Sequence, residues 1–264
     1  MLCLNTLFLH PIYNDYRISR LIRLVITYMG ALYEKLLEDV RFKEGLNACI
    51  NCGTCTAICP AASFYLYDPR SIADAVQTRD DEVIEELLKG EQIWYCGECM
   101  SCKTRCPRGN VPGLIICALR SLSQDLGYFV ESEKGRQQLV VKRTVGQWIL
   151  DHGYCLYMEG VGTDAHPEQG VVWDWIQKNW RPLFDRLGAN YQGDGPGILR
   201  KIPKETMDEL HRIFEVTGGT ARFEKIEACS EKKATELGIP FDATNECDYY
   251  DQVYKSNNQK HQCS

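Results

Sequence analysis

Eight of the fourteen cysteines in this 264-residue chain fall into two runs of identical spacing. The first is Cys49, Cys52, Cys55 and Cys59 followed by Pro60; the second is Cys96, Cys99, Cys102 and Cys106 followed by Pro107. Three thiolates at three-residue steps in a tight loop can reach three irons of one iron–sulfur cube, so a fourth must come from elsewhere. After the third cysteine the chain takes three residues to a Cys-Pro step, where proline fixes φ, removes a donor and can open a helix. The fourth thiolate therefore tends to point away from its own loop. This ligand stock suits electron transfer through two [4Fe–4S] clusters. Zinc and a disulfide framework are the competing readings, and both fit poorly. Structural zinc usually takes two Cys-x2-Cys knuckles or a Cys/His pair held apart by a longer spacer, not three cysteines at three-residue steps twice over.

In two-cluster ferredoxins with this spacing, the last cysteine of each run ligates the other cube. That likeness assigns Cys49, Cys52, Cys55 and Cys106 to one cluster, and Cys96, Cys99, Cys102 and Cys59 to the second. The runs start at residues 49 and 96, which makes them an internal repeat of one module. A cube with four thiolates is negatively charged in either redox state, and nearby positive charge favours its reduced form. The first loop is neutral, whereas the second holds Glu98, Lys103 and Arg105, with Arg108 just after. The two potentials should therefore differ. Lys103 and Arg105 can tune the second cube, contact an acidic partner or form a solvated face; if they lie nearest the second cube, it is the more easily reduced. Gly53 and Gly97 offer the permissive backbone that a loop bent around a cube needs.

These loops must be carried by helices, since no convincing run of alternating strands is present. Leu21, Val25, Tyr28, Leu32 and Leu36 recur at helical spacing. The stretch Leu21–Tyr33 is too short to span a bilayer. It suits packing on the protein's own core, with docking onto a partner or a membrane surface as alternatives. Gly45 ends that helix. Asp68-Pro69 starts another, and Asp80-Asp81 a third that runs to Lys89-Gly90. After Val111-Pro112 an apolar-periodic stretch, with Cys117 read as a core filler, stops at Gly127. Further candidates are Glu131–Leu150, Glu168–Leu187, Lys204–Val216 and Phe223–Leu237. Trp173, Trp175 and Trp180 make the second of these aromatic, which suits a core or a partner-binding face. Residues 193–197 read as a turn, because they lack phosphate-loop spacing. The segment after Pro240 reads as an extended tail. The expected organisation is mainly α: a two-cluster domain over residues 1–130 and a helical extension with its tail over 131–264.

A formal charge of −6 argues against nucleic acid, and 44% apolar with 25% charged residues is ordinary for a globular protein. Met1–Leu9 lacks a basic start and a small-residue cleavage site, so no signal peptide is expected. Thiolate ligands point to a reducing cytoplasm. The five histidines are scattered without triad or metal-site spacing, and no residue is assigned a catalytic role.

Twin Cys-x2-Cys-x2-Cys-x3-Cys-Pro motifs with a short helical spacer, ahead of Pro112 and the Leu114–Leu122 helix, resemble the α-helical ferredoxin module. That module occurs in iron–sulfur subunits of succinate dehydrogenase, anaerobic glycerol-3-phosphate dehydrogenase and glycolate oxidase, and in the C subunit of heterodisulfide reductase. The first would need a plant-type [2Fe–2S] domain upstream, which the residues before Cys49, with only Cys3, cannot supply. The glycerol-3-phosphate and glycolate types normally carry Cys-Cys-Gly repeats, and this chain has none. The chain is therefore similar to the stand-alone C subunit of heterodisulfide reductase. The resemblance implies a non-catalytic wire between a flavin-containing subunit of the complex and a further subunit whose Cys-Cys-Gly motifs hold the catalytic cluster. Because the chain runs past the methanogenic form, Pro203–Leu237 resembles the extension in heterodisulfide reductase-like complexes of sulfur oxidisers, which implies a role in sulfur metabolism. A structural metal-binding module without redox function is the alternative from another class.

Overall fold

A computed structural model describes residues 30–155 and 170–256. Most of Leu21–Tyr33 lies outside the described residues. Among the described residues the fold is helical with no strand, and no helix is long and apolar enough to cross a membrane.

The first half is built from α1 (Ala31–Glu38), α2 (Val40–Gly45), the single turn α3 (Thr54–Ala57), α4 (Pro69–Gln77), α5 (Asp81–Lys89) and α6 (Pro112–Leu126). Their starts follow local chemistry. Asp68 accepts from the N–H of Arg70 at 2.9 Å and of Ser71 at 3.3 Å, with Pro69 in the first turn of α4. Asp80 caps α5 through Glu82 N–H at 2.9 Å. Leu36, Phe42, Ile72, Val76, Ile84, Leu88, Ile115 and Leu119 are buried together as one core. Helices α2 and α6 meet closely at Gly45, where a Cβ would stand 3.0 Å from Ile115.

A second core joins Phe129, Val130, Leu139 and Val140 to Ile226, Ala234 and Tyr249. The expected single helix over Glu131–Leu150 is broken into α7 (Glu133–Arg136), α8 (Gln138–Val141), a π turn at Lys142–Gly146 and α9 (Gln147–His152). The helix is interrupted at Gln137, between α7 and α8, while Gly135 inside α7 leaves room for the Phe129 carbonyl that a Cβ would meet. Arg143, in the π turn, is buried and bonds Glu227 at 2.8 and 2.9 Å and the Asp242 carbonyl at 2.7 Å. Helices α10 (Gly170–Arg186), α11 (Lys204–Val216) and α12 (Gly219–Leu237) follow. Trp180 is buried against Phe184 and Tyr191, while Trp175 is exposed.

The expected extended tail is corrected over Asp248–Lys255, and residues 257–264 of that segment lie outside the described residues. Asp248–Lys255 forms α13, which buries Tyr249, Tyr250 and Val253 in the second core. The eight-residue helix is short, and its apolar face comes from tyrosines that read as polar in sequence. Cys117 is also corrected: it is half-buried on α6 outside the core, whereas Cys247 is buried beside Arg143.

Candidate functional site

The two cysteine loops repeat in detail. Asn51 N–H donates to Cys49 Sγ at 3.4 Å, and Glu98 N–H, at the matching position, donates to Cys96 Sγ at 3.4 Å. Cys52 Sγ lies 3.4 Å from Thr54 Oγ1, as Cys99 Sγ does from Ser101 Oγ. These hydroxyl contacts lower the pKa of Cys52 and of Cys99, both exposed, while burial raises that of Cys55 and of Cys102. Both loops need two left-handed residues to wrap. The first uses Asn51 (φ 57°) and Gly53 (φ 77°); the second uses Glu98 (φ 53°) and Met100 (φ 58°). Gly97 is not one of them, so the role expected for it falls to its neighbours.

Tertiary contacts decide which thiolates meet. Gly45 accepts from Val111 N–H at 2.7 Å, and Asn110 Oδ1 accepts from Asn47 N–H at 2.5 Å. Arg108 Nε reaches the Ala48 carbonyl at 3.4 Å. This seam brings the chain just after Cys106 alongside the chain just before Cys49. On the other side, Tyr65 stacks on Tyr95 with ring centroids 4.3 Å apart, joining the segment after Cys59 to the residue before Cys96. Cys49, Cys52, Cys55 and Cys106 accordingly line one cavity, of about 20 Å³, with Cys52 exposed at its rim. Cys59, Cys96, Cys99 and Cys102 line a second, of about 240 Å³. Larger clefts of about 610 and 650 Å³ in the second half gather no cysteine.

The surroundings differ. Arg70 and Arg108 line the first cavity, and Arg70 is paired with Asp68 at 2.6 Å. Phe64, Tyr67, Tyr95 and Ile116 line the second. Lys103 and Arg105, weighed as tuning groups of the second cube, line neither cavity. Beside the second loop stands Arg120, which donates to the Cys96 carbonyl at 2.6 Å and pairs with Glu98 at 2.5 Å. Burial pushes the Tyr67 hydroxyl far above the ordinary phenol range, and the nearby Cys96 sulfur adds to this. Pro69 lines the second cavity and Arg70 the first; Pro112 lines the first and Gly113 the second. Two helix starts thus stand between the cavities, and Gly113 adjoins Cys102.

Sequence reasoning missed Tyr67, Arg70, Asn110 and Arg120. Aligning the loops would have paired Thr54 with Ser101 and Asn51 with Glu98, but no spacing rule points to the others.

The donor set fits a cube better than a single ion. Among the described residues no group of three or more Cys, His, Asp or Glu side chains could hold one metal ion. Thiolates spread around a cavity are instead what four irons with one sulfur each require. The described cysteines are all free thiols. Residues 41–110 match the family described as the 4Fe-4S dicluster domain. The chain is therefore a two-cluster iron–sulfur protein of mainly α fold, and its cofactors are two [4Fe–4S] clusters.

The chain is 32% identical over 216 residues to the C subunit of ferredoxin:CoB-CoM heterodisulfide reductase of Methanosarcina acetivorans, covering 81% of this chain and 79% of that protein. It is 28% identical over 191 residues to the C subunit of H(2):CoB-CoM heterodisulfide,ferredoxin reductase of Methanothermobacter thermautotrophicus, covering 72% and 85%. It is 32% identical over 114 residues to the iron-sulfur C subunit of CoB--CoM heterodisulfide reductase of Methanopyrus kandleri, covering 43% and 57%. The chain belongs to the family of heterodisulfide reductase C subunits. A match of 216 residues has to run beyond residue 130, so a methanogen protein shares part of the extension. Length past the cluster domain therefore does not set this chain apart from the methanogenic form.

Proposed function

We propose that this chain is the electron relay of a heterodisulfide reductase-type complex, in which Cys49, Cys52, Cys55 and Cys106 hold one cube and Cys96, Cys99, Cys102 and Cys59 hold the other. The observation that carries the reading is the lining of the two cavities, each combining three cysteines of one loop with the Cys-Pro cysteine of the other. When bound, each cube supplies a reversible one-electron couple. The chain's own residues orient the thiolates through the N–H groups of Asn51 and Glu98 and hold the cavities next to one another across two helix starts. That proximity suits passage of an electron from one cube to the next.

The partners are, on this reading, a flavin-containing protein that delivers or accepts electrons and a Cys-Cys-Gly protein that reduces the disulfide, in the cytoplasm. Residues 1–130 would form the cluster domain and 131–264 the extension that serves assembly. A role in sulfur metabolism follows if the substrate is a heterodisulfide or a protein-bound sulfur species handled by the Cys-Cys-Gly partner. Anaerobic purification of the native complex tests this. The expected result is copurification with a flavoprotein and a Cys-Cys-Gly protein, about eight iron and eight sulfide per chain, and no disulfide reduction by the isolated chain. Zinc at one or two per chain without sulfide overturns the reading. Truncation after Gly127 should keep the iron and weaken the complex; loss of both clusters would instead make the two halves one cooperative unit.

A further inference from the structure

The second cavity contains a hydroxyl that the relay reading leaves unused. Tyr67 is 5% exposed, lines the cavity with Cys59, Cys96, Cys99 and Cys102, and its hydroxyl is near enough to the Cys96 sulfur to feel its charge. Its ring is held edge-on to Tyr95 with centroids 6.3 Å apart, and Tyr95 is stacked on Tyr65. Tyr95 is covalently next to Cys96, and Tyr65 and Tyr67 follow Cys59-Pro60. The ring cluster therefore fixes the hydroxyl at the place where the two chain segments meet. The first cavity has no phenol; its lining offers Arg70, Arg108 and the buried Asn110 amide instead. The residue that matches Tyr67 in the repeat is Leu114, which has no donor.

A phenol cannot accept the extra charge that a cube takes up on reduction, but it can respond to it. Its O–H donates more strongly to a ligand sulfur as electron density on that sulfur rises, so the bond favours the reduced state. Exclusion of water strengthens the effect. We propose that Tyr67 is a positioning and tuning residue whose hydroxyl, donated to Cys96 Sγ, raises the reduction potential of the second cube and leaves that of the first unchanged. This rests on the reading that the second loop holds a cube.

The test is a redox titration of the full chain in its native complex, followed by electron paramagnetic resonance. Cys99→Ser marks the signal of the second-loop cube, whichever thiolate is its fourth ligand, and Cys52→Ser marks that of the first. In Tyr67→Phe the Cys99-marked signal should move to lower potential, the Cys52-marked signal should stay, and about eight iron should be retained. No movement, or equal movement of both signals, overturns the proposal. A Cys59→Ser chain that perturbs only the Cys52-marked signal would refute the ligand set while leaving the Tyr67 result readable. Should Tyr67→Phe lose iron, 3-fluorotyrosine at position 67, a stronger donor with the same ring, should raise the Cys99-marked potential, and an unmoved signal there refutes the role of Tyr67.

Discussion

The two cysteine loops have nearly the same backbone and very different company. Both wrap through a left-handed pair, offer an N–H to the first sulfur and set a hydroxyl beside the second. Yet one is bordered by Arg70 and Arg108, and the other by Phe64, Tyr67 and Tyr95. A duplicated ligand scaffold thus specifies how to hold a cube, while the helices packed around each copy specify how that cube behaves.

The comparison breaks most sharply at the Cys-Pro steps. Cys59→Ser should cost the iron of the second cube and Cys106→Ser that of the first, each about half of the total, read by iron analysis and by loss of one of two signals. A structure with Cys59 bound to the same cube as Cys49, Cys52 and Cys55 would refute the crossing outright.

Next in size is a pair of glycine variants. Gly53→Ala puts a side chain at φ 77° and should cost about 1 kcal/mol, seen as a lower urea midpoint of the loaded chain. Gly97→Ala, outside the left-handed region, carries no such backbone strain and should lower the midpoint less. Equal costs would mean that the loops do not share their strain in the way their dihedral angles indicate.

A smaller effect is expected from Arg108→Gln, which removes a positive charge from the lining of the first cavity and should lower only the first cube's potential. Arg105→Gln should move neither potential, since Arg105 lines neither cavity. Reversal of that order would restore the expectation drawn from the loop's own charges.

The smallest effect is on acid stability. Burial raises the Asp68 carboxyl pKa, but hydrogen bonds from Arg70 and Thr56 outweigh this and hold it below the usual value of 3.8. A depressed native pKa contributes stability that is present above 3.8 and is lost as pH falls through the native value. The urea midpoint of Asp68→Asn should therefore lie below wild type at about pH 6 and converge on it in acid. Asp68 holds Thr56 of the first loop, whereas the second loop carries exposed Lys103 at that position. Local hydrogen exchange should therefore rise in the first loop before the second.

Most of the helices were legible from local signals. Asp68-Pro69 and Asp80-Asp81 start helices because a capping carboxylate and a proline act within one turn, and Gly127 ends one because it alone takes φ 80° without strain. The eight motif cysteines, their repeat and the cofactor type were legible as well, because thiolate spacing is written into a contiguous stretch of chain. Helix α13 escaped because its buried face is made of tyrosines, and the close approach at Gly135 escaped because the atom its missing Cβ would meet belongs to Phe129, on a turn packed back against it.

What the sequence by itself determined is the ligand stock and the local bend of each loop. Only the tertiary structure decided the company each loop keeps. The seam from Gly45 to Val111 and the Tyr65–Tyr95 stack bring distant segments together, so that Cys106 joins the first cavity and Cys59 the second. The same packing sets Tyr67 against Cys96 and leaves Lys103 and Arg105 outside both cavities. Charge and hydrogen bonding act through space at short range, and proximity between segments that lie tens of residues apart is a property of the folded core.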